Sequence, residues 1–351
     1  MPAKLRCAVI GTGSIGLSHL KSLVRCPQAA LAAIAEKNPE RARQAAARFQ
    51  IPRIYTDYRE LLDQPDIEAV TIAIPNYLHA PVAIEALQAR KHVLLEKPMA
   101  TSVREAVRIC DTARKMQRVL MVGQNFRFSH HTQVAKTLME RGDLGQVYHA
   151  RGHWLRRSGI PRIGSWFTQK QFAGGGCAFD LGVHVLDTCF HLLGDFEVLS
   201  VRGQINSHFG SRGLGEFDWG SSEIDPAKPF DVEDSVYAFL KMKRGTTLSF
   251  EVSWASLEPE RKSDLNLEFL GTQAGLALFP ARLFRPGSGG YETIELNQIK
   301  VPHPEDRIHH FVQCVLFGRK PIVTLEQSLQ VQRVLEAIYQ SSNSNKEVVL
   351  K

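Results

Sequence analysis

Short apolar runs alternate with amphipathic segments through the first 120 residues. The runs have the length of strands, and the segments between them carry apolar residues at the spacing of a helix face. Strands are predicted at residues 5–10, 31–35, 68–74, 92–97 and 119–122, and helices at 14–26, 39–49, 79–89, 102–117 and, over a short span, from 57. This alternation predicts an α/β Rossmann fold, a doubly wound parallel sheet with right-handed crossovers.

The pattern changes after residue 123, where strand-length runs follow one another with few helices between them. Strands are predicted at 146–156, 196–205, 235–242, 246–254, 265–270, 276–279 and 292–296, and helices at 132–141, 179–193, 305–317 and 325–339. Residues 207–230 are rich in Gly, Ser and Asp, which predicts a long loop. Successive strands without intervening helices predict an α+β C-terminal domain with a mostly antiparallel open sheet.

The length of 351 residues favours two domains, which we place at 1–124 and 125–351. The chain carries a net charge of +7, but its arginines are spread along it without a long basic run, so we expect no nucleic-acid partner and attribute the charge to a solvated surface or an anionic ligand. We find no bilayer-length apolar stretch and no signal-peptide pattern, so we expect no membrane partner and a cytoplasmic location. The six scattered cysteines lack metal-type spacing and predict reduced thiols and no metal site.

A glycine-rich turn follows the first predicted strand directly, with Gly11, Gly13 and Gly16 at the spacing GxGxxG. Such a turn opens a helix whose amino end faces a pyrophosphate, and Ser14 and Ile15 lie inside it. The turn therefore predicts a dinucleotide site.

Glu36 ends the next predicted strand, at the distance where an acid binds the adenosine ribose. Its charge favours NAD, because a 2′-phosphate would meet a like charge. The neighbouring Lys37, Asn38 and Arg41 leave NADP open, and Glu36 is alternatively a surface acid at a helix start.

The predicted strand 92–97 ends in Glu96 and Lys97, followed by Pro98, and we include these three residues among the cofactor-binding candidates. Ligands of an open α/β sheet bind beyond the carboxyl ends of its strands, so Lys97 is expected where cofactor and substrate meet. Its alternative role is an ion pair with Glu96. Because X-Pro bonds adopt cis geometry at modest cost, a cis bond between Lys97 and Pro98 is a hypothesis.

Polar residues also follow the predicted strand 68–74. Pro75 and Asn76 stand at its end, and His79 opens the next helix. Asn76 is a helix cap, a cofactor contact or both, whereas a histidine at the start of a helix is more often a capping or packing residue. We include all three among the cofactor-binding candidates.

A triple-glycine run at residues 174–176 precedes Asp180 and His184. Residues four apart on a helix share one face, so this pair is suited to acid/base work on an alcohol. The alternatives are a surface salt pair and a hydrogen-bonded core histidine. Asp187 and His191 repeat the spacing one turn later.

The chain resembles the Gfo/Idh/MocA oxidoreductases in five motifs. They are GTGSIG at 11–16, PNYLH at 75–79, EKP at 96–98, NFRF at 125–128 and GGGCAFDLGVHVLD at 174–187. The resemblance implies an NAD(P)-dependent enzyme that oxidises or reduces one secondary alcohol of a sugar, inositol or related polyol. It also implies that Lys97, Asp180 and His184 line the reactive centre, and that the protein is a homodimer or homotetramer.

On this basis residues 1–124 would bind the cofactor, and residues 125–351 would bind substrate and form the oligomer. We assign His184 as the acid/base, Lys97 as a donor to the substrate oxygen and Asp180 as a substrate contact or as the residue that tunes the pair. A partly desolvated Lys97 is an alternative base.

Four further residues are candidates for substrate binding. Asn125 and Arg127 follow the last Rossmann strand, and the stretch from Arg157 to Trp166 resembles the inositol and sugar dehydrogenase branches. Two other functions remain open: a glycoside hydrolase that uses tightly bound NAD in a transient redox mechanism, and a cofactor sensor without turnover.

Overall fold

The structure, a computed structural model, describes residues 4–350 except 219–221, 226, 258–262, 297–298 and 300–304. Residues 4–124 form a parallel sheet in the order β3-β2-β1-β4-β5-β6. Its strands are β1 Leu5–Ile10, β2 Ala29–Ala35, β3 Ile54–Tyr55, β4 Ala69–Ile72, β5 His92–Leu95 and β6 Leu120–Val122. The helices between them are α1 Ser14–Arg25, α2 Pro39–Phe49, α3 Tyr58–Leu62, α4 His79–Gln88 and α5 Val103–Met116. The predicted doubly wound Rossmann sheet is thus confirmed.

The inner strands of this sheet are buried on both faces. Every residue of β4 and β6 is buried, which is why these strands appear in the sequence as continuous apolar runs rather than as alternating ones. Side chains that accept backbone N–H groups begin three of the helices between the strands, Asn38 before α2, Asp57 before α3 and Ser102 before α5.

Beyond residue 124, the described strands form a second sheet and a small separate pair. The sheet runs in the order β16-β15-β14-β13-β7-β12-β11-β9-β17. Its strands are β7 Val147–Arg156, β9 Val198–Asn206, β11 Ser235–Met242, β12 Thr247–Ser253, β13 Ser263–Gly271, β14 Gly275–Leu278, β15 Ala281–Gly287, β16 Gly290–Glu295 and β17 Val348–Val349, and the separate pair is β8 Ile160–Pro161 with β10 Glu216–Phe217. Within the large sheet only the described pairing of β7 with β12 is parallel, so the prediction of a mostly antiparallel sheet is confirmed.

Helices cover one face of this sheet. The helices of the second half are α6 His130–Arg141, α7 Lys170–Ala173, α8 Val183–Leu193, α9 Arg307–Phe317 and α10 Leu325–Ser344, and of these α6, α8 and α10 pack on the sheet. Gly152 of β7 lies so close to α8 that an added Cβ would be 2.7 Å from Val185 and 2.9 Å from Cys189. Gly203 of β9 packs on Ile338 of α10 in the same way. The opposite face, here called the open face, is not covered by any helix of the described residues and carries exposed Tyr237 and Phe239.

Helix α9 returns to the first domain. Ile308, Phe311 and Val312 are buried in the same core as the Rossmann strands, and Leu329 of α10 joins them. The Rossmann core is therefore completed by residues from the far end of the chain. The expected boundary at residue 124 stays a prediction.

The six cysteines are buried free thiols. The described residues contain no group of His, Cys, Asp and Glu side chains arranged to hold a metal ion. In the same part of the chain, no helix is both long and apolar enough to cross a membrane. The expected location stays a prediction.

Candidate active site

A cleft of about 2090 Å³ lies between the two domains. Its floor on one side is formed by the loops at the carboxyl ends of the Rossmann strands, the edge at which ligands of such sheets bind. On the other side it is lined by the turn before α8 and by the end of β7. The predicted cofactor turn and the predicted reactive residues thus face one space.

The glycine turn is shaped for close backbone approach. Gly11 has φ +90°, and an added Cβ would lie 2.3 Å from the carbonyl oxygen of Ala73. A Cβ on Gly16 would lie 2.0 Å from the carbonyl oxygen of Gly11. Helix α1 begins at Ser14 after Gly13, and no side chain caps it. Its first N–H groups, including that of Ile15, remain available to the oxygens of a pyrophosphate.

Glu36 is buried at the end of β2, and both of its oxygens accept hydrogen bonds. Oε2 accepts from the Thr12 N–H at 2.8 Å and the Thr12 hydroxyl at 2.9 Å, and Oε1 accepts from the Asn38 N–H and the Arg41 guanidinium, each at 2.9 Å. Burial opposes ionisation, but these donors outweigh it and lower the pKa of Glu36. The carboxylate faces the cleft beside Lys37 and holds Arg41.

Two residues of the 75–79 stretch differ in position. Asn76 lines the cleft beside Pro75, and its side-chain amide donates to the carbonyl of Ala173 at 2.8 Å, joining the two domains. His79 is 1 % exposed, and its ring nitrogens lie 2.7 Å from the carbonyl oxygen of Pro98 and 2.9 Å from that of Ile74. His79 is therefore a packing residue below the cleft, and its inclusion among the cofactor contacts is corrected.

Glu96 pairs with residues other than Lys97. Its Oε1 lies 2.6 Å from Nη2 of Arg307 and 2.9 Å from Nε2 of His19. Burial opposes ionisation, but Arg307 and His19 outweigh it, and the pKa of Glu96 falls well below its usual range. The alternative role for Lys97, an ion pair with Glu96, is not what the structure shows. The Lys97–Pro98 bond is cis, as hypothesised, and Pro98 lines the cleft.

Lys97 pairs instead with Asp180 across the cleft. Its ammonium donates to Oδ1 of Asp180 at 2.9 Å and to the main-chain carbonyl of Asp180 at 3.0 Å. The indole N–H of Trp254 donates to the other carboxylate oxygen at 2.9 Å. Burial disfavours the charged carboxylate, but Lys97 and Arg156 outweigh it and lower the pKa of Asp180 to about 2.

The turn that carries Asp180 is a π-helical turn, Ala178–Gly182, which leads into α8. Its start is fixed by Glu233, which is 4 % exposed and accepts hydrogen bonds from the N–H groups of Gly176 and Ala178 at 2.9 and 3.0 Å. An added Cβ on Gly176 would lie 2.0 Å from the carbonyl oxygen of Glu233. The glycine run therefore allows this close packing beneath the reactive residues.

His184 lines the cleft one turn later. Its ring stacks on Phe126, with ring centres 4.8 Å apart and planes at 22°. Its Nδ1 is buried and has no hydrogen-bond partner among the described residues. Burial and the Lys97 charge lower the pKa of His184 to about 3, so the imidazole is neutral at neutral pH. Asp180 was expected to contact the substrate or to tune the pair. Its carboxylate binds Lys97, and its charge partly opposes the lowering of the His184 pKa, while the His184 ring stacks on Phe126.

Arg127 is not in the cleft. It is 2 % exposed, with Nε 2.8 Å from Oδ2 and Nη2 2.6 Å from Oδ1 of Asp187. Its Nη1 donates to the carbonyl of Ile322 and to Gln327 of α10. Arg127 thus joins three segments of the chain, and its prediction as a substrate contact is corrected.

The remaining substrate candidates lie at or near the cleft. Asn125 lines it, Arg157 is exposed at its rim, and Trp166 lines it with its ring stacked 3.8 Å from that of Phe167. The sequence analysis missed Arg156, Arg307, Trp154 and Trp254, of which the first three line the cleft and the last holds Asp180. The alternation along β7, which places Gly152, Trp154 and Arg156 on one face, is the signal that could have identified two of them.

Residues 5–124 match the family model described as "Oxidoreductase family, NAD-binding Rossmann fold", and residues 132–277 match the model described as "GFO/IDH/MocA C-terminal domain". The D-glucoside 3-dehydrogenase of Escherichia coli (strain K12) is 31% identical over 99% of this chain and 97% of its own length. The scyllo-inositol 2-dehydrogenase (NAD(+)) of Bacillus subtilis (strain 168) is 27% identical over 92% of this chain and 90% of its own.

Solved structures extend the similarity to the whole fold. Levoglucosan dehydrogenase in complex with NADH is 26% identical and superposes with a TM-score of 0.85, covering 99% of both chains. The aldose-aldose oxidoreductase of Caulobacter crescentus, complexed with glycerol, is 25% identical with a TM-score of 0.82 over 99% of this chain and 100% of its own.

Proposed function

This chain belongs to the Gfo/Idh/MocA oxidoreductases, and from that membership we propose that Lys97, Asp180 and His184 are its reactive centre. The protein is an NAD-dependent dehydrogenase of CH–OH groups in sugars or polyols. The observation that carries the proposal is the contact of Lys97 with Asp180 across the cleft, 2.9 Å long, in the space that His184 also lines.

The cleft fits the cofactor. The open amino end of α1 and the turn at Gly11 suit a pyrophosphate, and the buried Glu36 carboxylate suits ribose hydroxyls. When bound, NAD supplies the hydride acceptor. Because Glu36 holds Arg41 and keeps a negative charge at this position, a 2′-phosphate would be repelled.

Lys97 and His184 have different roles at the substrate hydroxyl. The Lys97 ammonium, held by Asp180, donates a hydrogen bond to the substrate oxygen and stabilises the negative charge that develops on it. The neutral His184 accepts the hydroxyl proton as hydride leaves the same carbon. Because the Lys97 ammonium is engaged by a carboxylate, this assignment is favoured over Lys97 as the base.

A panel assay tests this function. The purified protein is mixed with NAD or NADP and with inositols, aldoses or methyl glycosides, and absorbance of the reduced cofactor is followed. We expect the parent enzyme to reduce NAD with at least one class of substrate, and Lys97→Met and His184→Asn to do so about 10²- to 10³-fold more slowly. Lys115→Met and His208→Asn, at exposed positions, are the matched controls and should keep the parent rate. No change in this absorbance with any substrate, in the direction of oxidation or of reduction, would contradict the proposal.

The hydrolase alternative receives no support from the relatives, which are dehydrogenases and an oxidoreductase. Turnover in the panel assay would also dismiss the cofactor-sensor alternative. Release of an aryl group from an aryl glycoside without net formation of NADH would instead support the hydrolase alternative.

We further propose that the open face of the large sheet joins copies of the chain. Tyr237 and Phe239 are 44% and 43% exposed on β11, and large exposed apolar groups on a broad sheet favour association. Light scattering should give the molecular mass of a homodimer or homotetramer, and Phe239→Lys should lower that mass by weakening the association of the chains. A monomeric parent protein would contradict this.

A further inference from the structure

Arg156 is the last residue of strand β7 and Arg157 follows it, and both arginines line the cleft. The guanidinium of Arg156 stacks on Trp154, with its central carbon 4.7 Å from the ring centre, and lines the cleft. Arg156 is half-buried, whereas Arg157 is exposed. Arg156 is therefore the more enclosed of the two cations.

The other charged side chains around the reactive centre form ion pairs. Lys97 pairs with Asp180, and Arg307 pairs with Glu96. His184 is neutral at neutral pH because burial lowers its pKa. Around the reactive centre, Lys97 and Asp180 form one pair and Arg307 and Glu96 another, so the charge of Arg156 is the one these pairs leave unmatched.

Among the described residues, the Arg156 guanidinium stacks on Trp154 and has neither a hydrogen-bond acceptor nor an ion-pair partner. Asp180 acts on it only through space, favouring its charged form while burial disfavours it. A partly desolvated guanidinium is costly unless a ligand supplies acceptors.

We propose that Arg156 binds an anionic group on the substrate, a carboxylate or a phosphate, so that the enzyme prefers acidic sugars to their neutral counterparts. The proposal rests on the function proposed above and names the substrate class of the same site. A guanidinium presents a planar pair of donors that matches the oxygens of a carboxylate or phosphate, and neutral hydroxyls would leave its charge uncompensated.

The packing of Arg156 prepares it for this role. Its aliphatic stem lies against Gly159, where an added Cβ would be 2.5 Å from the Arg156 Cδ. With the stem held by Gly159 and the head stacked on Trp154, little side-chain freedom remains to be lost when an anion binds.

The test compares matched substrates with the NAD-loaded enzyme. Glucose is paired with glucuronate and galactose with galacturonate, so that each pair differs by a carboxylate, and glucose 6-phosphate tests the phosphate source. We expect kcat/KM about 10- to 100-fold higher for the carboxylate or the phosphate member than for its neutral counterpart. Faster turnover of the carboxylate sugars or of the sugar phosphate shows which of the two anionic groups Arg156 binds.

Variants assign the preference to one residue. Arg156→Gln should lose the preference for the acidic member, and Arg156→Lys should keep part of it because the charge remains without the planar fork. Arg157→Gln should retain the preference. Arg285→Gln, an exposed arginine of β15, is the matched control, and NADH binding measured by fluorescence should be the same in all four variants.

The outcomes separate the two proposals. Turnover of neutral sugars with no advantage for acidic ones, or an advantage that survives in Arg156→Gln, overturns the role of Arg156 and leaves the dehydrogenase function intact. Silence with acidic and neutral sugars alike overturns the proposed function, and the role of Arg156 falls with it. Loss of NADH binding in Arg156→Gln would show a general disturbance and contradict a role confined to the substrate.

Discussion

Lys97, two residues beyond the end of β5, donates hydrogen bonds to both the side chain and the main-chain carbonyl of Asp180 in the second half of the chain. The two contacts fix the ammonium relative to the turn that leads to His184. A strand end and a π-helical turn from different domains thereby converge at one point of the cleft. The predictions below depend on this convergence.

Replacing Lys97 should impair catalysis more than cofactor binding. Lys97→Met removes the donor that stabilises charge on the substrate oxygen, which typically lowers kcat by about 10²- to 10³-fold. The dissociation constant of NADH, measured by fluorescence, should change by less than about threefold, since the phosphate and ribose contacts lie elsewhere. A variant that keeps full kcat would exclude Lys97 from the chemistry.

Glu36 should set the cofactor preference. The parent enzyme should favour NAD over NADP by at least about 100-fold in kcat/KM, because a phosphate would lie against the carboxylate. In Glu36→Ser the preference should shrink, since the carboxylate that repels a phosphate and binds Arg41 is removed. Glu40→Ser, whose carboxylate is exposed and pairs with Arg43 on α2, is the control and should leave the ratio unchanged. An unaltered ratio in Glu36→Ser would contradict the assignment.

His184 should stay neutral through the working pH range. Its pKa of about 3 lies below the ordinary value near 6.5, so the base form is fully present above about pH 5 and is lost only in stronger acid. The imidazole resonance of ¹³C-histidine-labelled protein, assigned with His184→Asn, should not titrate between pH 5 and 8. A midpoint between pH 6 and 7 would show that burial and Lys97 do not depress the pKa as described.

Arg127 should contribute to stability rather than to substrate binding. Breaking its buried pair with Asp187 leaves one uncompensated charge, which typically lowers the free energy of unfolding by about 3–5 kcal/mol. Urea denaturation of Arg127→Met, Asp187→Leu and the double variant gives the coupling energy, and the double variant should lose less than the sum of the single changes. Additive losses would argue against the pair.

The sequence predicted the Rossmann half in detail because its strands are buried and its turns have specific chemistry. Strand β15 was missed, since Arg282, Arg285 and Pro286 interrupt any apolar run there. The prediction of Arg127 as a substrate contact was wrong for a different reason. Its partner Asp187 is 60 residues away, and no local pattern shows in which direction the side chain points.

The same limit applies within the reactive centre. The glycine run, the strand-end lysine and the histidine could be singled out from their positions in the sequence together with the family resemblance. The contact of Glu96 with Arg307 joins residues 211 apart, and the stacking of Phe126 on His184 depends on packing between domains. Such contacts between distant residues determine which charged side chains are paired, and only the folded structure shows them.

Single-turnover hydride transfer tests the central claim most directly. A substrate identified in the panel, deuterated at the reacting carbon, is mixed with enzyme and excess NAD, and formation of deuterated NADH is timed. We expect transfer about 10²- to 10³-fold slower in Lys97→Met and in His184→Asn, with the double variant losing less than the product of the two because they act on one hydroxyl. Transfer at the parent rate in both single variants would contradict the account.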